Sequence, residues 1–275
     1  MNNDTYDEDS ENNESIHSVS STDRTSGTPT IKAVETSHAV IEALLSLEQA
    51  TVTEVANEVS VSKGGVYKHL KTLRAGGYVV RDGNEYRLGY RFLDIGGKIR
   101  YTHPSSQTIK GRIQELAEET NETSIYTVLD DGRTTTLFRE TGSRGVSTRT
   151  RIGKQLYPHE TAAGKAILSI RPDEEVQRLL DETGLPPVTE NTITDETEFR
   201  DELEAVREQG YAFNLGESVE GLVAVAAPLV PGDEVLGACS VTGPYHRLKG
   251  DPIEESVVDA LLSCVNELEL NIAHA

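Results

Sequence analysis

Tryptophan is absent from this 275-residue chain, methionine occurs once, cysteine twice, and aromatic residues make up only 5%. The two cysteines, Cys239 and Cys264, each sit inside an apolar pattern, which excludes a disulfide framework and fits buried hydrophobes in a reducing cytoplasm. No long apolar run exists. The longest, Gly221–Val230 (GLVAVAAPLV), is far short of the ~20 residues that a membrane span needs. The opening MNNDTYDEDSENNES is acidic and polar, unlike a signal or transit peptide. Seven histidines spread from 17 to 274 without ligand spacing, so neither a metal nor a cofactor is expected. These exclusions leave a soluble, cytoplasmic protein of about two domains.

Basic charge is also scarce, and where it survives is informative. The net charge is −20, with nine lysines and 17 arginines. Residues 1–27 carry −6, residues 28–100 carry +2 and residues 101–275 carry −16. So acidic a surface suits a chain kept hydrated in high salt, a halophilic adaptation. The middle segment escapes the bias, which points to a polyanionic partner. Within it, VSVSKGGVYKHLKTLRAGGYVVR (59–81) contains no Asp or Glu in 23 residues, while Lys63, Lys68, Lys71, Arg74 and Arg81 are present.

The patterning divides the chain. Residues 1–29 are too polar to offset the entropy of ordering and read as a disordered acidic tail. From Ile31 a helix over 32–47 lines one face with Val34, Ile41, Leu44, Leu45 and Leu47. A short second helix over EVANEVS takes Thr53 as its N-cap, and a third runs from Lys63 to Ala75 with Val66, Leu70 and Leu73 inward. Tyr78–Val80 and Tyr86–Leu88 flank Asp82-Gly83 as a hairpin. Three helices and a hairpin in this order make a winged helix-turn-helix over 30–91. A helix of about 90–99 leads into an α+β domain within 92–275. Its expected elements are helices over 104–120, 161–169, 172–183, 253–273 and one capped by Thr194 to Gln209. Strands are expected over 124–129, 134–139, 211–215, 222–229 and 235–241.

The acid-free window and its paired glycines have one shared reading on this scheme. The outer face of the third helix shows Lys63, Gly64, Tyr67, Lys68 and Lys71. A recognition helix enters the major groove by its N-terminus, where Gly64 and Gly65 allow close approach and leave backbone N–H groups for a phosphate. The DNA-contact set is Thr53, Ser62, Lys63, Gly64, Gly65, Tyr67, Lys68, His69 and Lys71, with Arg81 and Arg87 from the wing. A solvated lysine face, a packing role for Tyr67 and a structural role for His69 are the plain alternatives.

The stretch TVTEVANEVSVSKGGVYKHLKTLRAGGYVVRDGNEYRLGYRFLDIG resembles the DNA-binding domain of IclR-type transcriptional regulators. HETAAGKAILS (159–169), REQGYAFNLGESVEGLVAVAAPLV (207–230) and GACSVTGPYHR (237–247) follow in the family's order, so the resemblance spans about Ile31 to Ala275. It implies a GAF-like effector domain in a homodimer or tetramer on a double-stranded, palindromic operator. The implied effector is a small metabolite such as a carbon-source acid or a sugar-derived compound. It also implies a pocket built from Thr161, Ala162, Ala163, Gly164, Asn214, Ala224, Ser240 and Thr242. Two features depart from the family: Ala224 stands where cysteine is frequent, and Gly64-Gly65 where Ser/Thr commonly opens the helix.

Enzyme readings fit poorly. Gly164-Lys165 would need glycine at His159 and Ser/Thr at Ala166 to be a phosphate loop, and the Gly216–Gly221 run misses a nucleophile elbow by one residue. His159 and Glu160 are adjacent but face different ways. A protein-interaction winged helix would tolerate an acid on the 63–71 face, and none is there.

Overall fold

The computed structural model of the chain describes residues 29–145, 150–248 and 253–274. The acidic tail expected over 1–29 lies outside the described residues apart from Pro29.

The first unit is built on α1 (Lys32–Leu47), which buries Val40, Ala43 and Leu44 at i, i+3 and i+4. Val34, Leu45 and Leu47, expected on that inner stripe, are exposed instead. Strand β1 (Gln49–Thr51) follows and was not legible, because three residues become a strand only by pairing with β3. Thr51, not Thr53, caps α2 (Val52–Glu58). Its hydroxyl accepts the Glu54 N–H at 3.3 Å, and the Glu54 carboxylate accepts the Thr51 N–H at 2.7 Å. That reciprocal box needs Thr and Glu three residues apart, a spacing Thr53 does not have. Next come α3 (Lys63–Ala75) and the hairpin β2 (Val79–Asp82) and β3 (Glu85–Leu88), in a sheet of order β1-β3-β2. Val40, Leu44, Val55, Val66, Leu70, Val79 and Tyr86 close its core. Winged helix-turn-helix order is observed.

Helix α4 (Arg91–Thr102) outruns its expected end and buries none of its residues. It stops at His103, which is extended (φ −61°, ψ 137°) as a residue before proline must be.

The second unit opens with α5 (Ser106–Thr120) and the hairpin β4 (Thr123–Asp130) and β5 (Arg133–Thr141). Asp131 and Gly132 turn it at positive φ, as the Asp-Gly pair predicts. Then come β6 (Gln155–Leu156), a 3₁₀ turn at Pro158–Glu160, α6 (Ala162–Ser169), α7 (Asp173–Thr183) and α8 (Glu196–Gln209). Asp195 rather than Thr194 caps α8, accepting the Thr197 and Glu198 N–H groups at 2.9 and 3.0 Å. β7 (Ala212–Leu215), β8 (Leu222–Leu229), β9 (Gly237–Pro244), α9 (Tyr245–Leu248) and α10 (Ile253–Ala273) complete the unit.

The six strands pair antiparallel in the order β6-β5-β4-β9-β8-β7. Side-chain alternation gives this sheet two faces of different character. Val223, Val225, Ala227 and Leu229 of β8, with Cys239 and Val241 of β9, pack on α5 and α10. Ala226 and Ala238 face α6 with Ala162, Ala166 and Ile167. Between Tyr126 and Thr127 the β4–β5 register shifts, so that Tyr126 opposes Phe138 while Thr127 opposes Thr136. This bulge turns both rings to the α5/α10 core and both threonines to the other side.

Gly164 lets α6 lie directly on the 3₁₀ turn, because a Cβ there would overlap the Pro158 backbone. Gly164→Ala should therefore lower unfolding stability by about 1–3 kcal/mol, read from the denaturant midpoint at constant m-value. An unchanged midpoint would show that the turn yields freely.

Candidate functional site

Two features stand out: a basic helix face and a pocket at the opposite end of the chain. On α3, Lys63, Gly64, Tyr67, Lys68 and Lys71 are exposed together, Tyr67 at 49%. Ser62 caps the helix by accepting the Gly65 N–H at 3.2 Å, so that N–H is not free. The two glycines separate here. A Cβ on Gly64 would meet nothing within 4 Å, whereas one on Gly65 would stand 2.9 Å from Val61 Cγ1. Gly65 is thus needed by the turn, and Gly64 alone keeps open the approach to the helix end.

The remaining members of the contact set lie around this face. Thr53 is exposed on α2. His69 does not share the outer face; it is half-buried, with its Nδ1 2.9 Å from the Ser37 hydroxyl of α1. In the wing, Arg81 Nε donates to the Gly83 carbonyl at 2.8 Å and its guanidinium lies 5.7 Å from the Tyr86 ring centroid. Arg87 donates to the Leu88 carbonyl at 3.2 Å and lies 5.6 Å from the Tyr90 ring. Both arginines are stiffened by the hairpin they would serve.

The pocket opens on the sheet face away from α5 and α10, with about 670 Å³ of space when its open mouth is included. Seven of the eight expected residues line it: Thr161, Ala162, Ala163, Asn214, Ala224, Ser240 and Thr242. Gly164 does not; it is buried against the 3₁₀ turn. Sequence reasoning missed Thr127, Thr134, Thr136 and Lys154, which also line the cavity. The alternating threonines of β5 were the available signal, since Thr134 and Thr136 must share a face. Hydroxyls and small apolar groups dominate the lining, and Lys154 is its one charged side chain among the described residues.

Buried polar bonds hold the wall in shape. Asn214 Oδ1 accepts the Gly216 and Glu217 N–H groups, each at 3.1 Å, and its amide donates to the Glu160 carbonyl. Lys165, 1% exposed, reaches Glu202 at 2.8 Å and Glu217 at 2.9 Å, pinning the loop that brings Ser218 and Val219 to the cavity. Burial raises the Glu217 carboxyl, with Lys165 opposing. Lys165 is thus an internal ion-pair partner and not a phosphate ligand. His159 and Glu160 are both buried and committed to backbone, His159 Nε2 lying 3.0 Å from the Pro186 carbonyl and Glu160 accepting the Tyr157 N–H at 2.8 Å.

Comparison with known proteins gives matches to both halves. The profile described as "Bacterial transcriptional regulator IclR C-terminal" matches residues 103–270, and "Sugar-specific transcriptional regulator TrmB" matches residues 36–95. The chain is 29% identical over 253 residues to a probable HTH-type transcriptional regulator ArcR of Halobacterium salinarum, covering 90% of this chain and 95% of that one. The solved Thermotoga maritima IclR superposes with a TM-score of 0.71 at 25% identity, covering 88% and 97%. An IclR homologue of Microbacterium hydrocarbonoxydans, solved with 4-hydroxybenzoate, shares the fold at 18% identity, with a TM-score of 0.72 over 87% and 100% of the two chains.

Burial pushes the Glu160 carboxyl up to about 7, against the Tyr157 hydrogen bond and the charges of Lys154 and Arg133. An ordinary glutamate ionises near 4.5, so between these values the folded chain holds a proton that the unfolded chain has lost. This contribution to stability is complete below pH 4.5 and is lost as pH rises through 7. Glu160→Gln keeps the acceptor for Tyr157 and cannot ionise. Its stability relative to the parent should rise by up to about 3 kcal/mol between pH 4.5 and pH 8, measured as melting temperature against pH. A constant difference would show that Glu160 ionises normally.

Proposed function

The chain belongs to the IclR family of transcriptional regulators, and from that premise we propose how this DNA-binding regulator works. The winged helix-turn-helix of 30–91 binds a double-stranded operator, with α3 as the recognition helix. The domain within 92–275 binds a small effector that changes operator affinity. The carrying observation is the coexistence of an acid-free, exposed helix face with a built pocket in a chain of net charge −20.

Lys63, Gly64, Tyr67, Lys68 and Lys71 enter the major groove, Thr53 and Ser62 approach phosphates, and Arg81 and Arg87 grip the backbone beside the wing. Gly64 permits close approach, and His69 braces α3 against α1. The effector is a small carboxylate carrying hydroxyl groups. Lys154 supplies a lining cation, Thr127, Thr134, Thr136, Ser240 and Thr242 supply hydroxyls, and the first turn of α6 adds the positive end of a helix dipole. The 4-hydroxybenzoate bound by the Microbacterium homologue is a carboxylate of this kind. Chemistry on the ligand has no support here, because His159 and Glu160 stand outside the cavity lining.

A homodimer is supported by uncovered apolar side chains. Tyr90, Leu93, Ile99 and Tyr101 are each more than 60% exposed on and beside α4, and Ile31, Val34 and Leu45 are exposed on and beside α1. A second copy would cover them, and light scattering should give twice the 30.0 kDa chain mass. A monomer in solution would remove this part of the account. A cytoplasmic site agrees with the absence, among the described residues, of a helix able to cross a membrane. The acidic surface and the halobacterial relative support function in high salt. Screening shortens to about 3 Å at 1 M salt, so base readout then outweighs phosphate contact.

Fluorescence anisotropy on DNA from upstream of the chain's own gene should show binding that outlasts scrambled DNA across a salt series. Lys68→Glu should weaken operator binding by about tenfold or more. Equal binding by the variant would remove α3 from the interface.

A further inference from the structure

Helix α4 connects the two units, yet it buries none of its residues, so few contacts fix its direction relative to the sheet. Those contacts concentrate at its C-terminal end. Arg100 places its guanidinium carbon 5.6 Å from the Phe138 ring centroid. His103 meets the edge of Tyr126 with centroids 5.5 Å apart and the rings inclined at 70°. Ser106 Oγ donates to the Tyr101 carbonyl at 3.0 Å. Between His103 and α5, Ser105 adopts φ 53° and ψ 24°, a left-handed conformation that a serine takes only when its surroundings impose it.

The two aromatic partners form the back of the pocket wall. Tyr126 lies on β4 between Ile125 and Thr127, both of which line the cavity. Phe138 is its register partner across the bulge that turns Thr136 into the cavity. Tyr126 cannot move apart from its strand. It is fully buried, its hydroxyl donates to the Leu236 carbonyl at 2.8 Å, and it fills the space above Gly237, where a Cβ would stand 2.8 Å from the phenol oxygen. A displacement of β4 or β5 on the pocket side therefore reaches both rings, and through them the end of α4.

We propose that Arg100 and His103, seated on Phe138 and Tyr126, are the positioning residues of a joint that transmits the state of the pocket to α4 and so to the DNA-binding half. This rests on the reading of the pocket as the effector site. Occupancy that alters the β4–β5 wall tilts α4 about the His103–Ser105 turn, and the two ring contacts set the tilt.

The test is a cycle on the full chain that needs no effector, because a larger side chain in the cavity stands in for one. Ala224→Leu, with Ser218→Leu as a second filler at a loop position, is combined with Arg100→Ala/His103→Ala. Operator affinity is measured by anisotropy, and amide hydrogen exchange is followed over 91–102. Each filler should change operator Kd by about fivefold or more in the parent and by less than about twofold without the joint. Exchange over α4 should respond to the filler only when the joint is intact. Arg100→Lys/His103→Phe, which keeps a cation and a ring at the two contacts, should restore the response. Equal responses with and without Arg100 and His103, or fillers silent in the parent by both readouts, would overturn the joint. Absent preference for the operator in the parent would instead count against the functional reading, and the exchange data would still decide the joint.

Discussion

Phosphate repels carboxylate at contact distance, and this constraint organises the molecule. A chain of net charge −20 can meet a duplex only through a surface from which acids have been cleared. Only the helix face of Lys63, Tyr67, Lys68 and Lys71 and its flanks meet that condition over an unbroken window of 23 residues. Acids elsewhere include clusters at the first turns of α7 (Asp173, Glu174, Glu175) and α8 (Glu196, Glu198), distant from this face in the sequence. Holding the basic face outward requires the opposite face to be fixed, and Val66 and Leu70, both fully buried, fix it against α1 and α2.

The second unit solves a different problem, that of placing a cavity beside a stable core in one sheet. Alternation along the strands sends Tyr126, Val225, Leu229, Cys239 and Val241 to α5 and α10, while Thr127, Ala224, Ser240 and Thr242 face the cavity together with Ile125 and Leu222. The threonines and serines are short enough to leave space and polar enough to bond a solute. The bulge on β4–β5 keeps this separation where simple alternation would have brought Phe138 to the cavity side. Lys165, buried between Glu202 and Glu217, and Asn214 then hold the loop that forms the rim. The same alternation puts Tyr126 and Phe138 behind the wall, which is why the end of α4 rests on residues adjoining the cavity.

What the sequence disclosed follows from where each signal resides. Helix α3, the wing and α10 were legible because their apolar periodicity and turn residues are local. Strand β1 was not, since its three residues take their conformation from β3. The caps at Thr51 and Asp195 were displaced by a residue or two in the reading, because several Thr or Asp candidates crowd each helix start and only the bond to the third N–H distinguishes them. Val34, Leu45 and Leu47 look like core in a pattern and lie at the surface of a single chain. Of the pocket, α6, Asn214, Ala224, Ser240 and Thr242 followed from resemblance. Thr127, Thr136 and Lys154 come from distant segments that only strand pairing brings together, and Gly164 serves packing where lining was expected.

The central claim is that the N-terminal end of α3 lies in the major groove of an operator, once in each of two copies. An iron chelate tethered at Gly64→Cys tests it most directly, because Cys239 and Cys264 are buried and leave the new thiol as the reactive one. Hydroxyl-radical cleavage of DNA from upstream of the chain's own gene should give two clusters of cuts, separated by about 10–10.5 base pairs or a multiple of it. Bound DNA left uncut, or cut without such a repeat, would contradict the placement of α3 and the two-fold arrangement together.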